Sequence, residues 1–252
     1  MLTDERHNYI RNELAAKGRV LAGELAARFG VSEDTARRDL RELAKAGDCR
    51  RVYGGAIAPA PFAEPIVRRL ERVSEEKLRL ATAAVKLITA GQSLFIDGGS
   101  TNICIVGEIP HHIELTVATN SLGVAAALAG HSAVKLVILG GVYDADLGTC
   151  IGADTLRAVG QFNADLFFLG SCGIDAARGA TTFDASEAEV KRAMVANSSA
   201  IVVVATHDKI ATAAPFRVAK PEAIQHLVVD INTRDEVLAE FKEHGTFIHR
   251  AS

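Results

Sequence analysis

The sequence feature that most constrains the fold is the alternation of short apolar runs with helical patterns beyond residue 90. The apolar runs are SLFID, LTVATN, KLVILGG, ADLFFLG, AIVVVAT, HLVVD and TFIHR. Helical stretches such as SLGVAAALAG, SEAEVKRAMVANS and RDEVLAEFKEHG lie between most of them. Continuous Val, Ile and Leu strands separated by helices are typical of a mostly parallel sheet covered on both faces. The sequence therefore predicts an α/β domain, whose ligands are expected at the carboxyl ends of the strands.

Small and polar residues gather at those predicted strand ends. They occupy residues 97–101, 119–121, 140–141, 170–173 and 206–209. Glycines let the backbone approach a ligand, and hydroxyls and N–H groups at the start of a helix suit a phosphate. Five such loops on one edge, together with Lys209, predict a site for a phosphorylated ligand. Lys191 in EAEVKRAM allows two interpretations, because it is either an exposed i, i+4 partner of Glu187 or a contact to that ligand.

The first 57 residues predict a different structure, a bundle of three short helices. The first carries Ile10 and Leu14 at helical spacing and stops at Gly18, and the second places Leu21, Leu25 and Phe29 on one face. The third begins at the N-cap Ser32 and ends at Gly47. Two helices joined at FGVS indicate a helix-turn-helix.

The third helix has the side chains of a DNA recognition helix. Its apolar residues Ala36, Leu40 and Leu43 turn inward. The segment DCRRVYGGAIA that follows is typical of a basic β-ribbon, a wing, whose arginines would lie near phosphates. The predicted DNA-binding residues are Ser32, Glu33, Thr35, Arg37, Arg38, Arg41, Arg50 and Arg51. The alternative is a plain three-helix bundle with solvated arginines.

Charge supports an anionic partner for the N-terminal part alone. Up to Ile57 there are 11 basic and 9 acidic residues, against 17 and 22 in the rest of the chain. We expect a DNA-binding domain over residues 1–58, a linker over 59–75 that contains three prolines, and an α/β effector-sensing domain over 76–252. The pattern turns helical again from Pro65 to Leu87. The arginines there are either solvated, or Arg69 or Arg72 contacts the α/β domain and relays its state.

Several classes of protein are disfavoured. No apolar run approaches the roughly 18 residues of a membrane span, and the polar N-terminus MLTDERHNYIRN is not typical of a signal peptide. The four cysteines are scattered without C-x-x-C spacing, which favours buried free thiols over a metal site. We expect a cytoplasmic protein without metal or cofactor.

The N-terminal motifs VSEDTARRDLRELAKAG and RRVYGGA resemble the signature of the DeoR family of bacterial transcriptional regulators. Tyr53 stands where that family usually has His. In the C-terminal part, FIDGGSTN, ATNS, LGG, IGADT, GIDAARGATT, EAEVKRAM and DK occur in the order of the family's sensor domain. The loop THDKI departs from the family's Ser-Ser-Lys-Phe, and Asp208 is expected to face sugar hydroxyls or to point away from a phosphate.

The resemblance implies a winged helix-turn-helix domain followed by a sensor domain similar in fold to ribose-5-phosphate isomerase. It implies a homo-oligomeric repressor of a carbohydrate catabolic operon, a dimer or tetramer, that binds double-stranded operator DNA and releases it on binding a phosphorylated sugar or related metabolite. The implied effector-binding residues are Asp97, Gly99, Ser100, Thr101, Asn120, Gly152, Lys191 and Lys209. The enzyme alternative is a sugar-phosphate isomerase with a DNA-binding head, but the acidic loops and lysine loops of such isomerases are missing. A third alternative, a DNA-binding protein that has lost its ligand, is disfavoured by the intact DGGST.

Overall fold

The computed structural model describes residues 2–61 and 64–252. The first six elements form a winged helix-turn-helix, which we call the head, and this confirms the predicted fold. They are α1 (Thr3–Lys17), β1 (Arg19–Leu21), α2 (Ala22–Phe29), α3 (Glu33–Ala46), β2 (Arg50–Val52) and β3 (Gly55–Pro59). The predicted cap is present, since the Ser32 hydroxyl accepts a hydrogen bond from the Thr35 N–H at 3.2 Å. Ala36, Leu40 and Leu43 lie in the core of the head.

Strand β1 is a correction to the sequence-based prediction, which placed Leu21 on the apolar face of the second helix. Leu21 ends β1 instead and is exposed. The three residues of β1 pair antiparallel with β3, where Arg19 lies opposite Ile57. A strand this short is stabilised by a partner distant in sequence, so its own residues carry little signal for it.

The C-terminal α/β domain contains the predicted parallel sheet. Its strands in chain order are β4 (Ser93–Ile96), β5 (Leu115–Thr119), β6 (Val134–Ile138), β7 (Val142–Asp144), β8 (Thr149–Ile151), β9 (Ala164–Leu169), β10 (Gly173–Asp175), β11 (Gly179–Thr182), β12 (Ser198–Val204), β13 (Thr212–Ala213), β14 (Phe216–Ala219), β15 (His226–Asp230) and β16 (Phe247–Ala251). Seven of them form the main sheet in the order β16-β15-β12-β9-β4-β5-β6. All neighbours in this sheet run parallel.

Helices cover both faces of the main sheet. They are α4 (Ile66–Glu71), α5 (Glu75–Ala84), α6 (Ser100–Glu108), α7 (Leu122–Leu128), α8 (Ala153–Val159), α9 (Ala185–Ala196) and α10 (Asp235–Glu243). An apolar core lies on each face of the sheet. Successive residues of β9 point to opposite faces, so Phe167 packs in one core and Phe168 in the other. Across the described residues, none of the helices combines the length and the apolar character that crossing a membrane requires.

Smaller antiparallel pairings were not predicted from the sequence. Strands β10, β11 and β14 form a separate sheet, and β7 pairs with β8 in a hairpin. The segment between the head and α5 contains α4, as the helical pattern from Pro65 predicted. The pattern is interrupted at residues 72–74, where α4 ends and Ser74 caps α5.

The head is joined to the α/β domain by strand pairing as well as by the chain. Strand β3 pairs parallel with β13, so that Ala58 lies opposite Thr212. Arg19 of the head forms an ion pair with Glu240 at 2.6 Å. Gly18, which ends α1 with a φ of +76°, lies directly against Ala211, the residue before β13.

We predict that Gly18→Ala destabilises the protein by more than the loss of a helix-ending glycine alone, because Gly18 also contacts Ala211. A Cβ at position 18 would lie 2.4 Å from the Ala211 Cβ, and the left-handed backbone adds its own strain. The strain costs about 1–2 kcal/mol, and overpacking adds about 1–3 kcal/mol. The matched control is Gly30→Ala, which has a φ of +67° but no heavy atom within 4 Å of the new Cβ. Thermal unfolding should show the larger loss for Gly18→Ala, and equal losses would contradict tight docking of the head.

Candidate DNA-binding surface and effector site

The predicted recognition helix presents its arginines to solvent. Arg37 pairs with Glu33 at 2.6 Å, and Arg38 pairs with Glu42 at 3.3 Å. Arg41 is also exposed, and Thr35 is half-buried beside the cap. Exposed ion pairs are worth little, so these arginines can exchange their carboxylate partners for DNA at small cost.

A buried ion pair that the sequence analysis missed holds this helix against α1. The Arg6 guanidinium donates to both oxygens of Asp39, at 2.6 Å from Nε and 2.9 Å from Nη2. Asp39 lies on the inner side of α3 and is 2% exposed. A bidentate pair of this kind fixes the orientation of α3, and therefore the direction in which the outer arginines point.

The wing carries the two predicted phosphate-contacting arginines. Arg51 is exposed and Arg50 is half-buried, and burial lowers the pKa of Arg50 from its usual value. The Arg51 carbonyl accepts a hydrogen bond from Arg178 Nη2 of the α/β domain at 2.7 Å. Tyr53 at the tip of the wing is fully exposed. The wing thus faces solvent while its base touches the other domain.

In the α/β domain, a small cavity lies at the carboxyl ends of β4, β9 and β12. Its volume is about 50 Å³. A water needs about 10–15 Å³ by this kind of measure, so the cavity has room for a group of roughly phosphate size. Its lining residues are Arg69, Gly98, Gly99, Ser100, Thr101, Asn102, Leu147, Gly170, Ser171, Cys172, Phe183, Glu187, Lys191, Val204 and Lys209.

One wall of the cavity is the DGGST turn and the first turn of α6. Gly99 precedes the helix with a φ of 130°, which favours glycine. Ser100 and Thr101 open the helix, where N–H groups lack intrahelical acceptors and the positive end of the dipole favours an anion. Gly170 forms the opposite wall, and a Cβ there would lie 2.4 Å from the Gly98 carbonyl oxygen. The two loops approach closely because position 170 has no side chain.

Lys191 lies at the base of the cavity and is 3% exposed. Its ammonium lies 2.6 Å from Asp97 Oδ2 and 2.9 Å from Glu187 Oε1, and it donates to the Gly170 carbonyl at 2.6 Å. Burial alone would lower the pKa of Lys191, but the charges of Asp97 and Glu187 outweigh it and raise that pKa. The i, i+4 pair with Glu187 is therefore present as predicted, whereas its expected exposure is wrong.

Three other polar groups at the cavity lack partners. Among the described residues, no acceptor is found for the Arg69 Nε or for the buried Ser171 hydroxyl. The Lys209 ammonium likewise forms no ion pair with any residue that the structure describes, and burial lowers its pKa. Unpaired buried donors such as the Arg69 Nε and the Ser171 hydroxyl are costly, and a bound anion would satisfy them.

The structure brings most, but not all, of the predicted effector residues together. Gly99, Ser100, Thr101, Lys191 and Lys209 line the cavity, and Asp97 lies beneath it as the partner of Lys191.

The other two, Asn120 and Gly152, do not line the cavity. The Asn120 side chain donates to the Cys150 carbonyl at 2.9 Å, and Gly152 precedes α8. Asn120 is thereby hydrogen-bonded to β8 of the neighbouring hairpin, and its buried Oδ1 has no partner among the described residues.

Ten of the fifteen lining residues were not among the predicted effector residues, and they come from different parts of the chain; Arg69, Ser171, Cys172 and Phe183 are four of them. For Arg69 the sequence left two interpretations, a solvated side chain or a contact with the α/β domain. The structure supports the contact. Cys172 also corrects the prediction of buried thiols, because Cys172 and Cys104 are only partly buried.

The cavity adjoins a larger cleft, with which it shares Arg69, Ser100, Cys172 and Lys209. The cleft encloses about 460 Å³ and is otherwise lined by Pro61, Glu64, Ser74, Glu76, Lys77, Thr206, His207 and Asp208. Asp208 lines the cleft but not the cavity, as expected for a carboxylate kept away from a phosphate. His207 is held by Glu76, whose Oε2 lies 3.0 Å from the imidazole Nδ1.

Comparisons with known proteins agree with the two-part organisation. A model of the DeoR-like helix-turn-helix domain matches residues 6–62, and a model of the DeoR C-terminal sensor domain matches residues 72–231. The glycerol-3-phosphate regulon repressor of Escherichia coli K12 is 32% identical over 245 residues, which are 97% of each chain. The repressor of the same name from Haemophilus influenzae is 34% identical over 88% of this chain and 87% of its own length.

A putative aga operon transcriptional repressor of Escherichia coli O157:H7 is 31% identical over 96% of this chain and 92% of its own length. Among solved structures, a ribose 5-phosphate isomerase from Methanocaldococcus jannaschii aligns with 53% of this chain and 52% of its own at 16% identity and a TM-score of 0.40. That likeness is too distant to carry an argument about chemistry. Both family models and the full-length repressors agree, as the sequence motifs do, and the chain therefore belongs to the DeoR family of transcriptional regulators, not to an enzyme family.

Proposed function

We propose that the protein is a repressor of genes for carbohydrate or polyol catabolism and that a phosphorylated sugar or polyol relieves repression. The observation that carries the effector assignment is the small cavity at the start of α6, where the buried Ser171 hydroxyl and the Arg69 Nε have no partner among the described residues and the Lys209 ammonium also lines the wall. Helix N-termini with free N–H groups bind phosphate in many proteins. The repressors of similar sequence named for a glycerol-3-phosphate regulon support the same chemistry.

We infer that the effector binds in two parts. The cavity of about 50 Å³ accommodates the phosphate, and the adjoining cleft of about 460 Å³ accommodates the carbon chain and its hydroxyls. Glu64, Glu76 and Asp208 line the cleft and can accept hydrogen bonds from hydroxyl groups, whereas Lys77 can donate. A neutral polyol without phosphate would leave the cationic cavity unfilled, so it should bind far more weakly.

Regulation follows from linkage. A homo-oligomer, a dimer or tetramer, spaces two heads to match two half-sites of an operator. An effector that binds the DNA-free arrangement more tightly shifts the population away from DNA, and it can do so only by as much as its affinities for the two arrangements differ. The β3–β13 pairing gives the α/β domain a direct contact with the wing through which such a difference can act.

The direct test combines effector screening with operator binding. Glycerol 3-phosphate and a set of sugar phosphates are added to the purified protein, and the thermal midpoint is recorded because a ligand of the native state raises it. Compounds that raise the midpoint are then titrated into an operator complex followed by fluorescence anisotropy. Release of DNA is the expected result. A protein that binds none of these compounds, or whose DNA affinity ignores every bound compound, would contradict the proposal.

On the DNA side, we predict that Arg38→Ala weakens operator binding by about 1–3 kcal/mol, the worth of a bidentate base contact. Arg38 is exposed, and Glu42 is its one ion-pair partner among the residues that the structure describes, so the fold should be retained. Arg157→Ala, at an exposed Arg of the α/β domain paired with Asp154, is the matched control and should bind normally. Anisotropy at a fixed salt concentration measures both variants. Equal affinity of Arg38→Ala and wild type would argue against α3 entering the groove at this residue.

A further inference from the structure

Arg69 differs from its neighbours in the helix that connects the two domains. Arg68 pairs with Glu71 at 3.3 Å, and Arg72 pairs with Glu64 at 3.4 Å. Arg69 instead turns toward the α/β domain and lines both the cavity and the cleft. Its Nε is buried without an acceptor among the described residues. Arg69 therefore presents its guanidinium to a space of about the size of a phosphate.

Arg69 determines whether the cavity carries a net positive charge. Lys191 and Lys209 are the lysines of the site, and Asp97 and Glu187 are its carboxylates. These four charges cancel, so the two lysines alone provide no excess positive charge for an anion. Arg69 raises the local charge to +1, and its planar fork matches two phosphate oxygens at once. Burial lowers the pKa of Lys209, and the charge of Arg69 lowers it further, so the two cations lie near each other at the cavity.

The position of Arg69 in the chain links this charge to regulation. Helix α4 lies between β3 of the head and α5 of the α/β domain. At its start, the Ile66 N–H donates to the Asp146 carbonyl at 2.8 Å. At its end, the Lys77 ammonium donates to the carbonyls of Arg69 and Arg72 at 3.4 Å and 3.2 Å. These backbone contacts hold the two ends of α4, and the Arg69 side chain reaches the effector cavity from between them.

We propose that Arg69 is the effector-binding residue supplied by the connecting helix, and that by binding the phosphate together with Lys209 it ties α4 to the sensor site. This inference rests on the proposed function, since it needs a phosphorylated effector in the cavity. Binding of the effector in the cavity would therefore change the contacts of α4, the helix that connects the head to the α/β domain. Strand β13, which pairs with β3 of the head, begins three residues after Lys209. Both connections to the head therefore start near the proposed phosphate position.

Calorimetric titration with inorganic phosphate tests the binding role, and glycerol 3-phosphate serves as a second probe. Arg69→Gln should weaken binding of either probe by about tenfold or more, the usual effect of losing charged hydrogen bonds. Arg69→Lys should recover part of the affinity because it restores the charge without the fork. Arg68→Gln is the matched control in the same helix and should bind as wild type does. Without ligand, the thermal midpoints of all three variants should be close to that of wild type.

Hydrogen exchange of residues 66–71 tests the coupling. Addition of phosphate should slow exchange there in wild type and in Arg68→Gln, but not in Arg69→Gln at a concentration that saturates it. If Arg69→Gln binds phosphate with wild-type affinity, the assignment of Arg69 is wrong while the proposed effector site stands. If it binds weakly but α4 is still protected when saturated, the coupling is wrong. A wild-type protein that binds neither probe would overturn the effector site together with this inference.

Discussion

Lys191→Met is expected to lower the free energy of unfolding by about 3–5 kcal/mol, the usual result of removing one partner from a buried ion pair. Methionine fills the space of the lysine stem but leaves the carboxylates of Asp97 and Glu187 without their cation. Asp97 is fully buried, and burial of an unpaired charge has no compensation from water. For a chain of this size, the thermal midpoint should fall by roughly 10 °C.

Arg192→Met is the matched control, because Arg192 is the next residue of α9 and is exposed. Within the described part of the chain, its guanidinium donates only to the Arg217 carbonyl, and its loss should change stability by much less. A further substitution, Asp97→Asn, should return part of the stability in the Lys191→Met background because it removes one uncompensated carboxylate. Equal midpoints for Lys191→Met and Arg192→Met would show that the Lys191 ion cluster does not stabilise the fold.

Thr101→Asp is expected to produce a protein that binds its operator and ignores its effector. Thr101 is 7% exposed and lines the cavity at the first turn of α6. A carboxylate at this position opposes the phosphate that we propose for the cavity. At a separation of about 4 Å, repulsion amounts to about 1 kcal/mol per charge pair in bulk water and about 4 kcal/mol at the effective dielectric constant near a protein surface. Effector affinity should therefore fall by at least about tenfold.

The control for Thr101→Asp is Thr101→Asn, which has nearly the same shape and no charge. Both variants keep the recognition helix and wing unchanged, so operator affinity without effector should match wild type. Anisotropy of the operator complex, titrated with the effector found by screening, then separates charge from shape. If Thr101→Asp releases DNA at the wild-type effector concentration, DGGSTN is only a tight turn and the effector binds elsewhere. If Thr101→Asn loses effector-induced DNA release to the same extent, side-chain size and not charge explains the loss.

Much of the fold could be predicted from the sequence because its signals are local. The apolar runs beyond residue 90 became the seven parallel strands, since the inner strands of a sheet covered on both faces must be largely apolar. The three helices of the head end at Gly18, Gly30 and Gly47, where the chain adopts positive φ. The edge of the sheet at which the polar loops gather also followed from the sequence, because parallel strands all end on the same side.

The sequence by itself therefore determined the order and type of the main elements, the helix caps and the edge that holds the candidate effector site. The tertiary structure alone decided which loops meet there. It placed Asn120 and Gly152 beside the cavity rather than in its wall, buried Lys191 between two carboxylates, and brought Arg69 to the cavity from α4. Caps and periodicities depend on neighbours within about four residues, whereas burial and ion pairing depend on elements far apart in sequence. Lys191 has the same local sequence whether it is solvated or buried, and only packing of α9 beside Asp97 removes water from it.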